Sequence, residues 1–297
     1  MTDDLTAGEF QAMTGLTAKA LRLYAERGIV TPAWVDPGSG YRYYARQQLQ
    51  HGATVDLLRR AQVPLAELAS APDFPFDRWR QTVALRRHLE DFSLAVAEKI
   101  STFDADDFIA HSTPAAAQDW VGIIVDLDLP EDAEGRVETF TGLAVDMPAI
   151  EVGLRDALTD LGAEPATVCW TAVPDTGVRN ASGQMLLARS GGAGLDSAAL
   201  ARIEKAVHAS TGSTVTAVAG TLPRRVEVTF AAASATEPTP VDEAAAGNLH
   251  LLAFEEHRAR HHLTAIRPTA RQVVHGPSLF TGDGGGAPMS VFDVQPG

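Results

Sequence analysis

Residues 17–44 have the sequence TAKALRLYAERGIVTPAWVDPGSGYRYY, and this stretch decides the fold of the first part of the chain. Thr17 is a suitable cap for a helix over 18–26, because its hydroxyl can accept an amide of the first turn. Two β-prone runs follow at 31–35 and 41–44, separated by the turn-forming sequence Asp36-Pro-Gly-Ser-Gly40. The stretch therefore predicts a helix followed by a β-hairpin.

Another helix is predicted just before this stretch. Thr6-Ala-Gly-Glu9 has the spacing of a capping box, Phe10 and Met13 are its expected buried residues, and Gly15 can end it in a left-handed conformation. Two short helices joined by a tight turn form a helix-turn-helix, whose second helix enters the major groove with its N-terminal part. A plain surface helix is the alternative.

Residues that can bind DNA lie on the second helix and on the hairpin. Thr17, Lys19 and Arg22 are predicted to point outward, where they can reach phosphates or base edges. Three of the four tyrosines of the chain flank Arg42 in the hairpin, at 41, 43 and 44. Phenols and guanidinium groups both donate hydrogen bonds to phosphate. The alternative is strand packing, and alternation allows one or two tyrosines to be core.

These residues resemble the MerR family of transcription regulators. The matching motifs are Leu21-Arg-Leu-Tyr24, Gly28-Ile-Val-Thr-Pro32 and Tyr41-Arg-Tyr-Tyr44, within about the first third of the chain. The resemblance implies DNA-backbone contacts by Arg22, Tyr24, Arg42 and Tyr43, and base reading by the helix that starts with Thr17 and Lys19. Tyr41 completes the set of predicted DNA-binding residues.

Three further helices are predicted at 48–61, 64–69 and 77–102. Gln62 occupies the bend between the first two, where the family often has glycine, so the backbone there is an open point. The third helix carries five apolar residues at helical spacing, namely Leu85, Leu89, Phe92, Val96 and Ile100. It can be an intramolecular core helix, whereas the resemblance implies an antiparallel coiled coil between two subunits. A dimer would also fix the spacing of DNA half-sites.

Charge is distributed unevenly along the chain. The net charge is −14, yet residues 15–62 hold seven basic and three acidic side chains, a local charge of +4. A polyanion is bound by neutralising its phosphates, so this segment suits DNA better than the acidic remainder does. An ordinary solvated surface is the alternative explanation.

The rest of the chain shows a mixed pattern that predicts an α+β domain. Residues 104–118 are polar and alanine-rich and indicate a connector, and 233–240 and 282–286 indicate loops. The predicted strands are 120–125, 137–145, 166–173, 184–188, 215–219 and 225–231. The predicted helices are 150–161, 196–210 and 249–263.

The order of these elements resembles the gyrase-inhibitor-like effector domain of multidrug-sensing MerR regulators, with local likenesses at 154–173 and 221–229. The resemblance implies a pocket for a small organic ligand. Flat indoles can stack on such a ligand, and carboxylates can attract a cation. The candidate lining residues are Trp120, Trp170, Glu151, Glu227 and Glu255, with Glu256 beside the last. Core packing or simple solvation is the alternative for each.

Other chemistry is not expected. One cysteine, Cys169, excludes an intramolecular disulfide framework and paired-thiolate metal sites. His257 and His261 lie one helical turn apart, but neighbouring arginines oppose a cation, so we expect no metal. No phosphate-binding loop or Gly-x-Ser-x-Gly motif occurs, and no catalytic residue or cofactor is predicted. Short apolar runs and acid near Met1 favour a cytoplasmic protein without membrane contact.

The sequence thus predicts a multidomain protein. An all-α winged helix-turn-helix with a small β wing spans 1–75, a dimerisation helix 76–104, a linker 105–119, and an α+β effector domain 120–297. The predicted function is a homodimeric transcription regulator, an activator that distorts promoter DNA for RNA polymerase in response to a drug-like or antibiotic-like ligand. The alternatives are a C-terminal domain that only recruits protein, or a DNA-binding head fused to a hydrolase-like domain.

Overall fold

The computed structural model describes residues 4–68, 74–127, 133–163, 168–174, 183–234, 237–280 and 288–297. The chain divides into two compact units, Met1–Leu85 and Arg86–Gly297. The predicted four-part division has a different boundary and stays a prediction. The predictions for residues 69, 166–167, 235–236 and 282–286 lie outside the described residues.

The first unit combines short helices with a small sheet. Its helices are α1 (Ala7–Thr14), α2 (Ala18–Glu26), α3 (Leu49–Arg60) and α4 (Leu65–Leu68). Its strands β1 (Asp4–Thr6), β2 (Trp34–Val35) and β3 (Arg42–Ala45) form an antiparallel sheet in the order β1-β3-β2. The predicted helices and the predicted hairpin are all present in this unit.

Local capping explains where the first two helices begin and end. Thr6 and Glu9 form the predicted capping box, and Thr17 caps α2 by accepting the amide of Ala20. Gly15 ends α1 with a positive φ of 80°, as predicted. These caps satisfy backbone groups that would otherwise lack partners at the helix ends.

The predicted burial of Met13 is wrong, since this side chain is 55% exposed. Thr14, one turn after Phe10, takes the inward position instead, and its hydroxyl donates to the Phe10 carbonyl at 2.7 Å. That bond satisfies the hydroxyl inside the core. Gly52 of α3 approaches this surface so closely that an added Cβ would lie 2.7 Å from Phe10 Cζ. α1 and α3 therefore pack through a glycine contact.

The bend after α3 shows which backbone conformation Gln62 adopts at the position where the family often has glycine. Gln62 adopts φ 64°, the left-handed region that favours glycine. The amide of Val63 donates to the Leu58 carbonyl at 3.0 Å, which closes the end of α3 around this residue. The backbone expected for a glycine is therefore present although the side chain is glutamine.

Helix α5 (Phe76–Ser101) matches the predicted long helix within one residue at each end. None of its described side chains is buried within the protomer. The predicted stripe at 85, 89, 92, 96 and 100 is thus at most half-buried. A helix in the core of the protomer would bury one face. The alternative that α5 is an intramolecular core helix is therefore wrong.

The second unit is built on one large sheet. Its strands are β4 (Phe108–Ala115), β5 (Gln118–Asp126), β6 (Val168–Ala172), β7 (Gln184–Ser190), β8 (Thr216–Leu222), β9 (Arg225–Ala232), β10 (Arg271–His275) and β11 (Met289–Val294). They pair antiparallel in the order β4-β9-β11-β10-β6-β7-β5-β8. The helices are α6 (Ala133–Asp160), α7 (Ser197–Thr211) and α8 (Pro240–His261).

One face of this sheet carries the helices. α6 and α7 pack on β5 and β7 through Ile123 and Leu187, and α8 packs on β9 and β11 through Phe254 and Phe292. Side chains alternate along each strand, so Leu186, Trp170 and Val273 form a separate core on the other face. The sheet therefore separates two apolar layers.

Two short connections show that the sheet is strongly curled. Residues 116–117 join the first strand of the sheet order to the seventh, and 223–224 join the eighth to the second. A two-residue connection spans roughly 10 Å, whereas six strand spacings in a flat sheet span about 29 Å. The two ends of the sheet therefore converge at these connections.

Three predictions for this unit are wrong. Residues 137–145 are helical, part of α6, although their β-branched side chains suggested a strand. The predicted connector contains β4, an edge strand that pairs along its whole length with β9 and tolerates Pro114 because it lies at an edge. α8 begins at Pro240, before the predicted start, because Thr239 and Asp242 form a capping box. Strands β10 and β11 were not predicted.

Candidate nucleic-acid interface and ligand cavity

Helix α2 presents a basic surface on one side and core residues on the other. Leu21 and Tyr24 are buried with the rest of the first core, whereas Lys19 and Arg22 are exposed. The Thr17 oxygen accepts the amide of Ala20 at 3.1 Å, so its hydroxyl hydrogen remains able to donate. The exposed side of α2 can therefore offer two cations and a hydroxyl to a phosphate backbone.

Tyr24 differs from the other predicted DNA-binding residues in its surroundings. Its ring is 5% exposed and packs in the first core. Its carbonyl accepts the amides of Ile29 and Val30, which turns the chain sharply after α2. The fold accounts for this residue by itself, and a contact with DNA stays a prediction.

The hairpin is held by its turn. Asp36 accepts hydrogen bonds from the amide of Gly38 at 2.8 Å and from the hydroxyl of Ser39 at 2.7 Å. These bonds, the one from Ser39 first, lower the pKa of the Asp36 carboxyl. Gly40 then takes a φ of 69° before β3 begins. The turn chemistry seen in the sequence is thus realised in the structure.

The hairpin sorts its tyrosines onto two faces. Tyr44 is fully buried and stacks on Phe10 with ring centroids 4.4 Å apart. Tyr43 is half-buried and Tyr41 is 49% exposed on the other face. Only Tyr44 is therefore a core residue, which settles the alternative that the sequence left open. Tyr41, Tyr43 and the half-buried Arg42 stay the predicted backbone contacts.

In the second unit the predicted ligand residues are engaged with the protein itself. Trp170 is fully buried, and Trp120 lies edge-on to it at 5.4 Å and covers Gly220. Buried Glu151 accepts from Arg189 at 2.9 Å and from the Leu279 amide. These residues act as packing and anchoring groups in this structure.

The remaining predicted carboxylates are paired with arginines. Glu227 accepts from Arg225 at 2.5 Å and from Arg271 at 2.8 Å. Glu255 pairs with Arg258 on the surface of α8, and Glu256 with Arg260 in the same way. None of the five predicted ligand residues lines either of the cavities described below. Their ligand-binding role stays a prediction.

A cavity of about 960 Å³ lies between α8, the end of α5 and the sheet. Lys99 and Thr102 of α5 contribute to its wall. Four aromatic side chains line it, namely Phe103, Phe108, Phe230 and His250. Four carboxylates also line it, namely Asp104, Asp107, Asp242 and Glu243. This is the size range of small-molecule sites, with apolar walls and a few polar groups.

A second cavity of about 430 Å³ adjoins the first, since Gly247 and Gln272 line both. Leu251 and Phe292 give it an apolar wall, and Thr171 and Gln184 add hydrogen-bonding groups. Both cavities lie on the helix-bearing side of the sheet. The larger one alone exceeds what a single small ring fills, so an elongated ligand could extend into the second.

Electrostatics distinguish the walls of the larger cavity. Lys99 bonds to Asp242 at 2.9 Å, which lowers the pKa of Asp242 strongly and raises the pKa of Lys99. Burial lowers the pKa of His250, so this ring is neutral near pH 7, and its Nδ1 has no partner among the described residues. Four carboxylates against one lysine leave the described lining negative.

The other chemical candidates form no site in the described part of the chain. His257 and His261 have ring centroids 4.4 Å apart, yet no group of three metal-ligating side chains occurs among the described residues. Burial raises the pKa of the thiol of Cys169, a residue of β6. Among the described helices, none is both long and apolar enough to cross a bilayer.

The first unit thus has the organisation of a DNA-binding domain, with a capped helix-turn-helix, an exposed basic face and an adjoining hairpin. The family model described as MerR HTH family regulatory protein matches residues 5–71. This unit therefore contains a MerR-family helix-turn-helix domain.

Two curated relatives resemble the same region. The multidrug-efflux transporter 1 regulator of Bacillus subtilis (strain 168) is 33% identical over 99 residues, 32% of this chain and 35% of that protein. The HTH-type transcriptional regulator CueR of Vibrio cholerae is 28% identical over 97 residues, 33% of this chain and 69% of that protein. The chain thus matches only about a third of the length of the first relative.

Solved structures give distant likenesses. The cryo-EM structure of the EcmrR-DNA complex in EcmrR-RPo covers 98% of both chains with 12% identity and a TM-score of 0.35. The crystal structure of a hydrolase from Listeria innocua covers 63% of this chain and 91% of that one, with 9% identity and a TM-score of 0.31.

Proposed function

We propose that this protein is a MerR-type transcription regulator that binds double-stranded promoter DNA through α2 and the hairpin. The observation that carries the proposal is the exposed basic side of α2 within the family-matched residues 5–71. That side belongs to a segment of charge +4 in a chain of charge −14. The acidic remainder repels phosphate, so it confines the approach of DNA to this basic surface.

Salt-dependent DNA binding tests this proposal. The affinity for a duplex of the protein's own upstream region should fall steeply with salt, by a log–log slope of about 0.9 for each phosphate neutralised. Arg22→Ala should weaken binding and reduce the slope by about one unit per protomer. Lys205→Ala, an exposed lysine on α7, is the matched control and should leave binding unchanged. Equal effects of both variants would contradict the assignment of α2.

The proposed regulator is a homodimer held by α5. Its apolar stripe is only partly covered within the protomer, and a two-stranded coiled coil would bury it against a second copy. Phe92→Asp should convert the dimer to a monomer in light scattering, because it places a charge in that seam. Leu94→Asp is the control: Leu94 is 68% exposed and lies off the stripe. A dimer that survives Phe92→Asp would exclude this interface.

The proposed effector is a small organic molecule that binds in the larger cavity. Aromatic walls and an excess of carboxylates favour a planar ligand that carries positive charge. The name of the Bacillus subtilis relative, a multidrug-efflux transporter regulator, supports a drug-like ligand. The sequence prediction of a small organic effector is retained, with a different set of lining residues.

Three fluorescent dyes of different charge test the cavity: cationic thioflavin T, neutral Nile red and anionic 1-anilinonaphthalene-8-sulfonate. The cationic dye should bind best, and the double change Asp104→Asn and Asp107→Asn should weaken it. Glu255→Gln is the control because Glu255 lies outside the cavity. A loss of dye affinity in Glu255→Gln would indicate instead that the ligand binds at the residues predicted from the sequence. No binding of any dye would favour a domain that only recruits protein.

Activation would require coupling between cavity and DNA. Distorting a promoter for RNA polymerase costs a few kcal/mol, and an effector can offset this only if it prefers the distorting conformation. α5 carries both the proposed dimer seam and part of the cavity wall, through Lys99 and Thr102. A ligand in the cavity would therefore contact α5, the same helix that, in the proposed dimer, sets the spacing between the DNA-binding domains of the two protomers.

A further inference from the structure

We propose that Trp34 is a positioning residue of the hairpin, which holds the ring of Tyr43 ready to donate to a DNA phosphate. This inference rests on the proposed DNA binding. Trp34 is not among the residues that the sequence predicted to contact DNA. Its side chain is 41% exposed on a short edge strand, and yet it makes two defined contacts, a stack on Tyr43 and a hydrogen bond to Asp4.

The indole of Trp34 crosses the whole three-stranded sheet. Trp34 stands on the edge strand β2 and is paired in register with Tyr43 of the central strand. The two rings stack with centroids 4.2 Å apart and planes 4° from parallel. Beyond Tyr43, the indole Nε1–H donates to Asp4 Oδ2 in β1 at 3.1 Å. One side chain therefore bonds to the far strand and covers the ring between.

This arrangement restricts Tyr43 in a way that strand pairing alone does not. β2 has only two residues, so few backbone hydrogen bonds hold the hairpin in register. The Tyr43 ring contacts two aromatic rings, that of Trp34 in a parallel stack and that of Tyr41, tilted, with its centroid 5.5 Å away. A side chain already ordered before binding loses less entropy when its hydroxyl bonds to phosphate. The restriction is useful only if the hydroxyl has a partner outside the domain.

A double-mutant cycle tests the coupling between the two rings. Trp34→Ala, Tyr43→Phe and the double variant are titrated with a duplex of the protein's own upstream region, by fluorescence anisotropy at fixed salt. Tyr43→Phe should weaken binding about fivefold per protomer, the value of one hydrogen bond. Trp34→Ala should cause a similar loss. The double variant should lose little more than either single variant, since both changes remove one contact.

Additive losses, about 25-fold in the double variant, would overturn the proposal, because Trp34 would then act without the Tyr43 hydroxyl. Trp34→Phe keeps a stacked ring but removes the N–H bond to Asp4, so it should restore most of the affinity lost in Trp34→Ala. Equal losses in Trp34→Phe and Trp34→Ala would also overturn it. Should Trp34→Ala fail to fold, Trp34→Leu takes its place in the cycle, because it also removes the stacked ring but keeps an apolar side chain. Absence of DNA binding by the unaltered protein would instead refute the proposed function.

Discussion

The left-handed backbone at Gln62 makes a specific prediction about stability. An L-residue with a side chain pays about 1–2 kcal/mol in this region, whereas glycine adopts it freely. Glycine also gains about 0.5–1 kcal/mol of conformational freedom in the unfolded chain, which offsets part of the relief. Because Gln62 has a φ of 64°, its replacement by glycine should raise the free energy of unfolding by about 0.5–1 kcal/mol. For a unit of this size, 1 kcal/mol corresponds to about 4–8 °C in Tm.

Calorimetry of the full chain, with hydrogen exchange of the peptide that spans the end of α3, measures this gain. Gln62→Asn should give an intermediate value, because asparagine tolerates left-handed backbone better than glutamine and retains an amide. Gly15→Ala is the opposite control: φ is 80° and an added Cβ would lie 3.0 Å from Asp56 Oδ2, so stability should fall. A lower Tm for Gln62→Gly would show that contacts of the glutamine side chain outweigh backbone strain.

Three further predictions concern packing, a buried ion pair and pH. Gly52→Ala should destabilise the first unit by about 1–3 kcal/mol in denaturant titrations through overpacking, while Gly8→Ala, where nothing lies within 4 Å, should not destabilise it. Glu151→Gln should lower the unfolding free energy by about 3–5 kcal/mol, since it leaves buried Arg189 without its anion; unchanged stability would refute this. The lowered pKa of Asp242 contributes stability that is present above its unfolded pKa and lost as pH falls below about 4. The acid limb of a Tm–pH curve should flatten in Asp242→Asn, and an unchanged curve would count against the Lys99 contact.

The first unit could be predicted well because its signals are local. The caps at Thr6 and Thr17 and the turn at Asp36 each depend on groups within three residues. The predicted burial of Met13 was wrong because a polar residue takes the inward position. Thr14 is buried there, and its hydroxyl donates a hydrogen bond to the Phe10 carbonyl. Hydrophobicity alone does not reveal that a hydroxyl can be satisfied inside a helix.

The second unit was predicted less well because its decisive partners are distant in sequence. In α6, the β-branched residues suggested a strand, whereas the 4, 3, 4 and 4 spacing of Leu143, Met147, Ile150, Leu154 and Leu158 follows the helical period. β4 is too polar to indicate a strand, and only its pairing with β9 makes it one. Long-range pairing of this kind overrides local preference.

The carboxylates illustrate the same limit for the candidate site. Glu227 and Glu151 are acidic residues within apolar runs, a pattern that suggests ligand binding. Arg189, the partner of Glu151, lies 38 residues further along the chain, so the sequence does not show that this buried charge is neutralised. Glu227 has one near partner, Arg225, and one distant partner, Arg271, which lies 44 residues further along. The aromatic walls of the larger cavity come from three separate segments, around Phe103 and Phe108, Phe230 and His250, and were missed for the same reason.

Strand β11 occupies the interior of the large sheet, between β9 and β10, although it comes last in sequence among the described strands. During synthesis, β4 and β9 can pair with each other but cannot join the remaining strands until residues 289–294 have left the ribosome. A nascent chain that stalls earlier would expose two open strand edges, which are sites for aggregation. Premature termination shortly before residue 289 should therefore yield insoluble or rapidly degraded fragments instead of a folded protein with a partial second unit.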